Sequence, residues 1–388
     1  MTVETDELSS AKRRLIFRDA VTFLGLILVT AVLLAITLFL FRSFTAHRAE
    51  LAQRWSGRGQ NALNQGHPEE AIVALRTALS YAPDENSYEL LLAQALGDAG
   101  HLDESYNYFL GLWDAEPGNG FINLRLARLA AKKRDTQAAI NSYHAAIYGT
   151  WEGDGTVRRR EVRLELARYL ISIGNSSSAR SELLIAGGNN PYDVSVELTL
   201  ADLLQQAGYP KDALNYYRKV LTQEPKNEPA LLAAGRMEYE GGNFEEAHRL
   251  LEEGVAEMHE GDVPAGINMM LANAAHIIAM APSEKVSPDE RVERILHARS
   301  LAKTRFDECN AQVSAANGPT SPLQSIGSRW AAEDASLGRK ALLKDHTEED
   351  ATVKLIFDTE VQTSQICGAP TGDDALLLLL SKSQTVEP

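Results

Sequence analysis

The basic residues that could bind an anion stand at helical spacing near the middle of the chain. Arg128 and Lys132 are four residues apart, which places them on one face of a helix. Arginine binds carboxylates through paired N–H donors, so this pair suits an acidic side chain or the C-terminal carboxylate of a peptide. A solvated helix face explains the same charges equally well. A second basic run, Arg158 to Arg160, follows the stretch "WEGDGTV" and points in several directions around a helix.

Groups for catalysis or metal binding are not arranged in any recognisable motif. The sequence contains no Walker A loop, G-x-S-x-G, H-E-x-x-H or C-x-x-C motif, and its nine histidines are scattered. Acidic pairs such as Glu69-Glu70 and Glu245-Glu246 suit the first turns of helices, where they complement the helix dipole. We therefore expect no catalytic residue, no metal site and no cofactor.

The two cysteines, Cys309 and Cys367, form an isolated pair. In an oxidising compartment they would form a disulfide, and in a reducing one they would be two buried thiols. Both alternatives are compatible with the sequence.

A run of 22 uncharged residues, 20–41, is long enough as a helix to span about 33 Å, the thickness of a bilayer core. We predict a transmembrane helix there, because the run exceeds a signal-peptide core and "RSFTAHRAE" offers no small-residue cleavage site. Four basic residues precede the run and three follow it closely, which favours a cytoplasmic tail at 1–19 and a periplasmic domain after it.

The overall charge argues against nucleic acid as a partner. The formal net charge is −15, and the acidic excess lies after residue 50. Phosphate contacts need clustered Lys and Arg in a field that does not repel the polyanion. We therefore expect no nucleic-acid binding.

The chain repeats itself with a period of 34 residues. A small residue recurs at Ala71, Ser105, Ala139, Ala179, Ala213 and Ala247, in steps of 34, 34, 40, 34 and 34 residues. Five residues before each, a second position holds Gly66, Gly100, Arg134, Gly174, Gly208 and Gly242. Four residues after each, a third position holds Leu75, Phe109, Tyr143, Leu183, Tyr217 and Leu251. Small residues let paired helices approach, and glycine permits a left-handed turn between them.

This pattern resembles the tetratricopeptide repeat (TPR) family, whose 34-residue unit is a helix-turn-helix. Trp55, Gly59, Ala71, Leu75, Ala78 and Pro83 match the first unit, and Pro117, Pro191 and Pro225 close the second, fourth and fifth. The resemblance implies an all-α fold, in which a right-handed solenoid of six units at 52–259 follows the transmembrane helix. Single hairpins cannot bury both faces, so the units must stack.

In repeats of this family the first helix of each hairpin lines a groove that binds a protein or peptide partner. The matching positions here are Leu124, Arg128, Lys132, Leu164, Arg168, Leu198, Asp202, Gln206 and Arg236. Arg168 is the counterpart of Arg128 in the next unit, so Arg128, Lys132 and Arg168 are predicted to form a basic cluster.

The step of 40 residues marks a six-residue insertion near 151–159. We interpret "WEGDGTVRRREV" as a lengthened loop between repeats and the start of the next helix, because insertions in solenoids fall in loops. A docking patch at Arg158 to Arg160 is the alternative.

Residues 262–388 read as helices outside the repeat register, a degenerate seventh repeat followed by a cap. Ser287-Pro288-Asp289-Glu290 predicts a helix start, with "AGINMMLANAAHIIAMAP" as its hairpin partner. "NGPTSP" at 317–322 is a predicted loop, Ser321-Pro322 opens a helix to about Leu343, and "DDALLLLLSKS" is a capping helix or an anchor for a partner.

The function that these features favour is a non-enzymatic, membrane-anchored scaffold. It would present its groove to a protein in the bacterial envelope, from the inner membrane, in secretion or envelope assembly. The alternative is an accessory subunit of a membrane enzyme complex whose C-terminal region binds a ligand.

Overall fold

The computed structural model describes residues 4–188, 192–258, 263–316, 321–334 and 338–385, which are helical apart from short connections. The chain forms two compact units, Met1–Tyr169 and Leu170–Pro388. The predicted all-α fold is confirmed. Pro191 and His259, at which the fourth and sixth repeats were predicted to end, and most of the predicted loop at 317–322 lie outside the described residues.

The repeat region consists of short helices joined by tight turns. Its helices are α1 (Glu4–Asn64), α2 (Pro68–Tyr81), α3 (Asn86–Asp98), α4 (Leu102–Ala115), α5 (Gly120–Lys132), α6 (Thr136–Tyr148), α7 (Gly155–Ser172), α8 (Ser176–Gly188), α9 (Val194–Gln206), α10 (Pro210–Gln223), α11 (Glu228–Glu240) and α12 (Phe244–Glu257). In the first unit α1 packs on α2, α3 on α4 and α5 on α6; in the second, α9 packs on α10 and α11 on α12.

The recurring residues do the structural work that their spacing predicts. All six residues at the small position, from Ala71 to Ala247, are completely buried. The turn before each contains a residue with positive φ, including Gly66 at 76° and Gly100 at 90°. Arg134 occupies the same position with φ of 62°, although a side chain disfavours this left-handed conformation. The turn geometry therefore belongs to the repeat and persists without glycine.

Helix α1 joins the apolar run to the first repeat without a break. It covers 61 residues and includes both the 20–41 run and the first helix of the first hairpin. Its apolar part is long and uncharged enough to cross a membrane, and its large side chains, such as Leu28 and Phe39, are exposed.

The six-residue insertion is divided between a loop and a helix. Helix α6 ends at Tyr148 and α7 begins at Gly155, so the connection at 149–154 is two residues longer than that at 116–119. Helix α7 has 18 residues, whereas α3 and α5 have 13. The interpretation as a lengthened loop was therefore incomplete, because Arg158 to Arg160 belong to an added turn of helix.

The C-terminal region contains α13 (Ala265–Met280), α14 (Pro288–Ala316), α15 (Ser321–Asp334), α16 (Arg339–Leu342), α17 (His346–Cys367) and α18 (Gly372–Thr385). Ser287 caps α14 as predicted, accepting a hydrogen bond from the Glu290 N–H at 3.3 Å. Two predictions were wrong. Helix α13 packs mainly on α12, and α14 packs mainly on α17, so they are not a tight hairpin. The helix that starts at Ser321 ends at Asp334, well before Leu343.

One hydrophobic core connects α12 to α18. It buries Trp330, whose indole N–H donates to Thr359 Oγ1 at 3.2 Å, and includes Phe244 and Leu377. A disulfide joins Cys309 of α14 to Cys367 at the end of α17. Arg305 donates from Nη2 to the Gly368 carbonyl at 2.7 Å, so the turn after α17 is tied to α14 twice.

Candidate functional site

The insertion closes one side of a cavity on the first helices of the repeats. Backbone hydrogen bonds of 2.8 Å join Thr150 N–H to Gly118 O and Gly120 N–H to Thr150 O. The Trp151 indole N–H donates to Ala146 O at 2.8 Å, and its ring lies against Gly120. A Cβ on Gly120 would come within 2.3 Å of that ring, so the glycine allows the close approach. Trp151 is therefore held by hydrogen bonding and by packing.

The cavity beside Trp151, here called the insertion cavity, has a volume of about 740 Å³. Helices α3, α5 and α7 and the insertion loop contribute its walls. Its lining residues are Leu90, Glu116, Asn119, Phe121, Leu124, Arg128, Thr150, Trp151, Glu152, Arg158, Glu161, Val162 and Glu165. Asn119 fixes the start of α5, since its Oδ1 accepts hydrogen bonds from the N–H groups of Phe121 and Ile122.

Arg128 is held in a three-residue network. Its Nε and Nη2 donate to the two carboxylate oxygens of Glu165, both at 2.7 Å, and the Tyr143 hydroxyl donates to the same carboxylate at 3.0 Å. Burial alone would raise the pKa of Glu165, but the hydrogen bond and charge of Arg128 outweigh it and lower that pKa. Burial and the nearby Glu165 charge raise the pKa of Tyr143. Arg128 thus already holds a carboxylate of its own chain.

A smaller cavity of about 230 Å³, here called the basic cavity, adjoins the first and shares Arg128. Arg125, Arg128 and Lys132 line it together with a single acid, Asp98. Lys132 and Arg168 are exposed and have no ion pair in the described part of the chain. The charge of Arg168 lies close enough to lower the pKa of Glu165, so it stands near the Arg128 network.

The remaining predicted groove residues occupy varied environments. Leu124 and Leu164 are each 8% exposed and belong mainly to the core. In the second unit Leu198 is half-buried, Gln206 is exposed, and Asp202 accepts a hydrogen bond from the Tyr217 hydroxyl. Arg236 donates from Nη2 to Gln205 Oε1 at 3.4 Å. Whether these residues bind a partner stays a prediction.

The arginine run of the insertion is partly engaged. Arg158 lines the insertion cavity and pairs with Glu161, with an Nη1–Oε2 distance of 3.0 Å. Arg159 donates from Nη2 to the Gly149 carbonyl at 3.3 Å. The run and the groove are therefore not separate surfaces, because Arg158 and Arg128 line the same cavity.

Several lining residues were missed by the sequence analysis, above all Trp151, Phe121 and Glu165. Glu165 could have been found from the repeat register. The pair Arg125–Gln94, with Nη2 and Oε1 3.4 Å apart, joins the same two repeat positions as Glu165–Arg128, one unit earlier. Trp151 gave a weaker signal, an aromatic residue where a proline was expected.

Repeated helical hairpins with small residues at fixed positions define a class of protein, the α-helical repeat proteins. Models of the tetratricopeptide repeat match residues 57–119 and 204–265 of this chain. Together with six in-register units, these matches identify the chain as a member of the tetratricopeptide repeat family.

A curated relative is the cellulose synthase operon protein C of Xanthomonas axonopodis pv. citri (strain 306), 26% identical over 208 residues. The match covers 52% of this chain and 14% of the relative, so the chain spans a small part of that protein.

Solved structures with the same kind of fold include MamA, with 18% identity and a TM-score of 0.37, covering 46% of this chain and 93% of MamA. A second is YrrB, titled a TPR protein with an unusual peptide-binding site, with 16% identity and a TM-score of 0.37 over 52% of this chain and 97% of YrrB. A third is a tetratricopeptide repeat protein from Parabacteroides merdae ATCC 43184, with 15% identity and a TM-score of 0.38 over 65% and 93% of the two chains.

Proposed function

We propose that the protein is a membrane-anchored scaffold that holds a segment of a protein partner on the first helices α3, α5 and α7. The observation that carries the proposal is the pair of adjoining cavities on this face, which share Arg128. Apolar walls and several fixed polar groups are typical of binding sites. The protein acts by binding rather than by catalysis.

The anchor is the apolar run of α1, and the basic residues before it favour a periplasmic repeat domain in a bacterial inner membrane. The name of the curated relative, cellulose synthase operon protein C, supports a role beside an envelope enzyme. A reporter fused after Pro388 tests the orientation, since it should be active only if it functions in the periplasm. Activity of a reporter that works only in the cytoplasm would reverse the assignment.

Photo-crosslinking tests the binding surface in intact membranes. A photoreactive residue at Lys132 should crosslink to a partner protein at a defined mass, because this exposed position borders both Arg128 and the basic cavity. A matched probe at Val73, which is 65% exposed on the second helix α2, should not give that product. Equal products at the two positions, or none at Lys132, would contradict the proposal.

Charge reversal identifies which basic residues bind. We expect Lys132→Glu with Arg168→Glu to abolish most of the crosslinked or co-purified partner, whereas replacing Arg158 to Arg160 with Ala should have a smaller effect. Arg128→Glu is unsuitable, because it would place a second carboxylate beside Glu165. Loss of the partner only in the triple-alanine variant would transfer the binding role to the insertion.

The second candidate function is a ligand-binding accessory subunit of a membrane enzyme complex, and a cavity in the second unit favours it. This cavity has a volume of about 800 Å³, and apolar residues of α13, α17 and α18, including Ile277, Phe357 and Leu380, form part of its wall. Native mass spectrometry of the purified chain distinguishes the two functions. A retained small molecule without a protein partner would favour the accessory subunit.

A further inference from the structure

The insertion cavity is acidic, although the sequence predicted a basic groove. Four glutamates and two arginines line it. Arg128 is paired with Glu165, and Arg158 with Glu161. Both cations are therefore neutralised within the chain, and two carboxylates remain at the cavity, those of Glu116 and Glu152.

These two carboxylates are available to a ligand. Glu116 is exposed, and its Oε2 accepts one hydrogen bond, from Asn119 Nδ2 at 2.8 Å, which leaves its negative charge uncompensated. Glu152 is exposed and has no ion pair within the described ranges of the chain. A free carboxylate of a partner would be repelled here, whereas a cation would gain charge-assisted hydrogen bonds.

The aromatic wall suits the same kind of side chain. Trp151 is fixed by its hydrogen bond to Ala146 and by its contact with Gly120. Its ring, with Phe121 and the buried Leu124, offers apolar surface to the alkyl part of a long side chain and a π face to its charged end. A rigid aromatic wall beside acidic groups is the complement of Lys or Arg.

We infer that the insertion cavity binds a Lys or Arg side chain of the partner segment, with its alkyl part on Trp151 and its cation at Glu116 and Glu152. The adjoining basic cavity, lined by Arg125 and Lys132, takes an acidic residue of the same segment. The inference rests on the proposed function and gives the segment a charge pattern, basic at one cavity and acidic at the next. The six-residue insertion thus determines which partner is accepted.

Selection from a peptide library tests this preference without knowledge of the partner. The full chain, reconstituted in lipid nanodiscs, is used to select from displayed random dodecapeptides. We expect selected peptides to be enriched in Lys or Arg at one position and in Asp or Glu at another. The selected peptides should bind about tenfold more weakly to the Glu116→Gln, Glu152→Gln variant, since a charge-assisted contact is lost. Replacing the Lys of a selected peptide with Gln should weaken binding to the wild type about as much, and leave binding to the variant unchanged.

The matched control is the Glu69→Gln, Glu70→Gln variant, which removes the same charge from exposed positions in the first turn of α2. It should bind the peptides like the wild type, and all variants should keep their helicity. The Glu116→Lys, Glu152→Lys variant should instead select acidic residues at the basic position.

Selection without enrichment of Lys or Arg, or equal binding to both Gln variants, would overturn the inference. The proposed function would survive that result if the Lys132 probe still captures a protein partner in membranes. Failure of both the library selection and the crosslinking would overturn both.

Discussion

The repeats and the C-terminal helices build their cores in different ways. In the first unit, small clusters recur between neighbouring helices, such as that of Ala71, Leu75 and Leu92, and each involves residues close in sequence. From α12 to α18 one core joins residues far apart, from Phe244 to Leu380, and a disulfide crosses it. A repeat array is stabilised by contacts between nearest neighbours, whereas a single core depends on all its parts. Local damage should therefore remain local in the repeats and spread through the C-terminal region.

Loss of the disulfide is the strongest test of this difference. Cys309→Ser with Cys367→Ser should lower the free energy of unfolding by about 4 kcal/mol, because the bond closes a 58-residue separation. Hydrogen exchange should accelerate in 288–385 and remain unchanged in 52–148. Uniform acceleration would show that the two regions unfold as one. Labelling of unreduced, denatured protein checks the bond itself, since two reactive thiols would show that it does not form.

A buried carboxyl makes the C-terminal core sensitive to pH. Burial and the Asp374 charge raise the pKa of Glu360 to about 8, despite the opposing effect of Arg305. Between an unfolded pKa near 4.5 and this value the folded state binds more protons, so stability falls as pH rises.

From pH 5 to 8 the free energy of unfolding of this region should decrease by about 2–4 kcal/mol, given roughly 1.4 kcal/mol per pKa unit. Chemical denaturation at each pH measures the slope, and Glu360→Gln should flatten it and stabilise the protein at pH 8. An identical slope in the variant would assign the effect to another group.

In the repeats the strongest local polar contact should be the Arg128–Glu165 pair. A double-mutant cycle with alanine should give a coupling energy of about 1 kcal/mol, because the contact is bidentate and half-buried. The control cycle, Arg76 with Glu104, joins two exposed side chains at 2.6 Å and should give about 0.3 kcal/mol. A larger coupling for the control would mean that geometry does not rank these pairs.

The smallest expected effect is a gain in stability. Arg134→Gly should stabilise the third hairpin by about 0.5–1 kcal/mol, since Arg134 has φ of 62° and glycine adopts this conformation without strain. The matched change Gly100→Ala, at φ of 90°, should destabilise the second hairpin. Thermal unfolding of both variants measures the effect, and a loss of stability in Arg134→Gly would point to a role for its side chain.

The repeats were predictable because their determinants recur. Ala71 and Gly66 need only a fixed spacing, and even Arg134 could be assigned to its turn from the register. The C-terminal helix α17 has no such repetition, and its partners, Trp330 and Cys309, come from distant parts of the chain. The cavity was hidden for a related reason, because the contact of Trp151 with Gly120 depends on how the insertion folds back.

The ionic state of the candidate site was the least predictable feature. The sequence indicates that Arg128 can bind a carboxylate, but it does not show that Glu165 already occupies it. Pairing of charged groups depends on distances of a few ångströms, whereas a repeat register locates residues only to a helix face. For this reason the predicted basic cluster became an acidic cavity beside a basic one.

The unbroken helix α1 has a mechanical consequence. Ten residues, 42–51, separate the apolar run from the first repeat, which at 1.5 Å per residue is about 15 Å. With the apolar run in a bilayer, this segment acts as a ruler that sets the height of the first hairpin above the lipid. It also sets the hairpin's rotational phase, because one added residue turns everything beyond it by about 100°. The side of the repeats that faces a neighbouring membrane protein is thus encoded in the number of residues in the stalk.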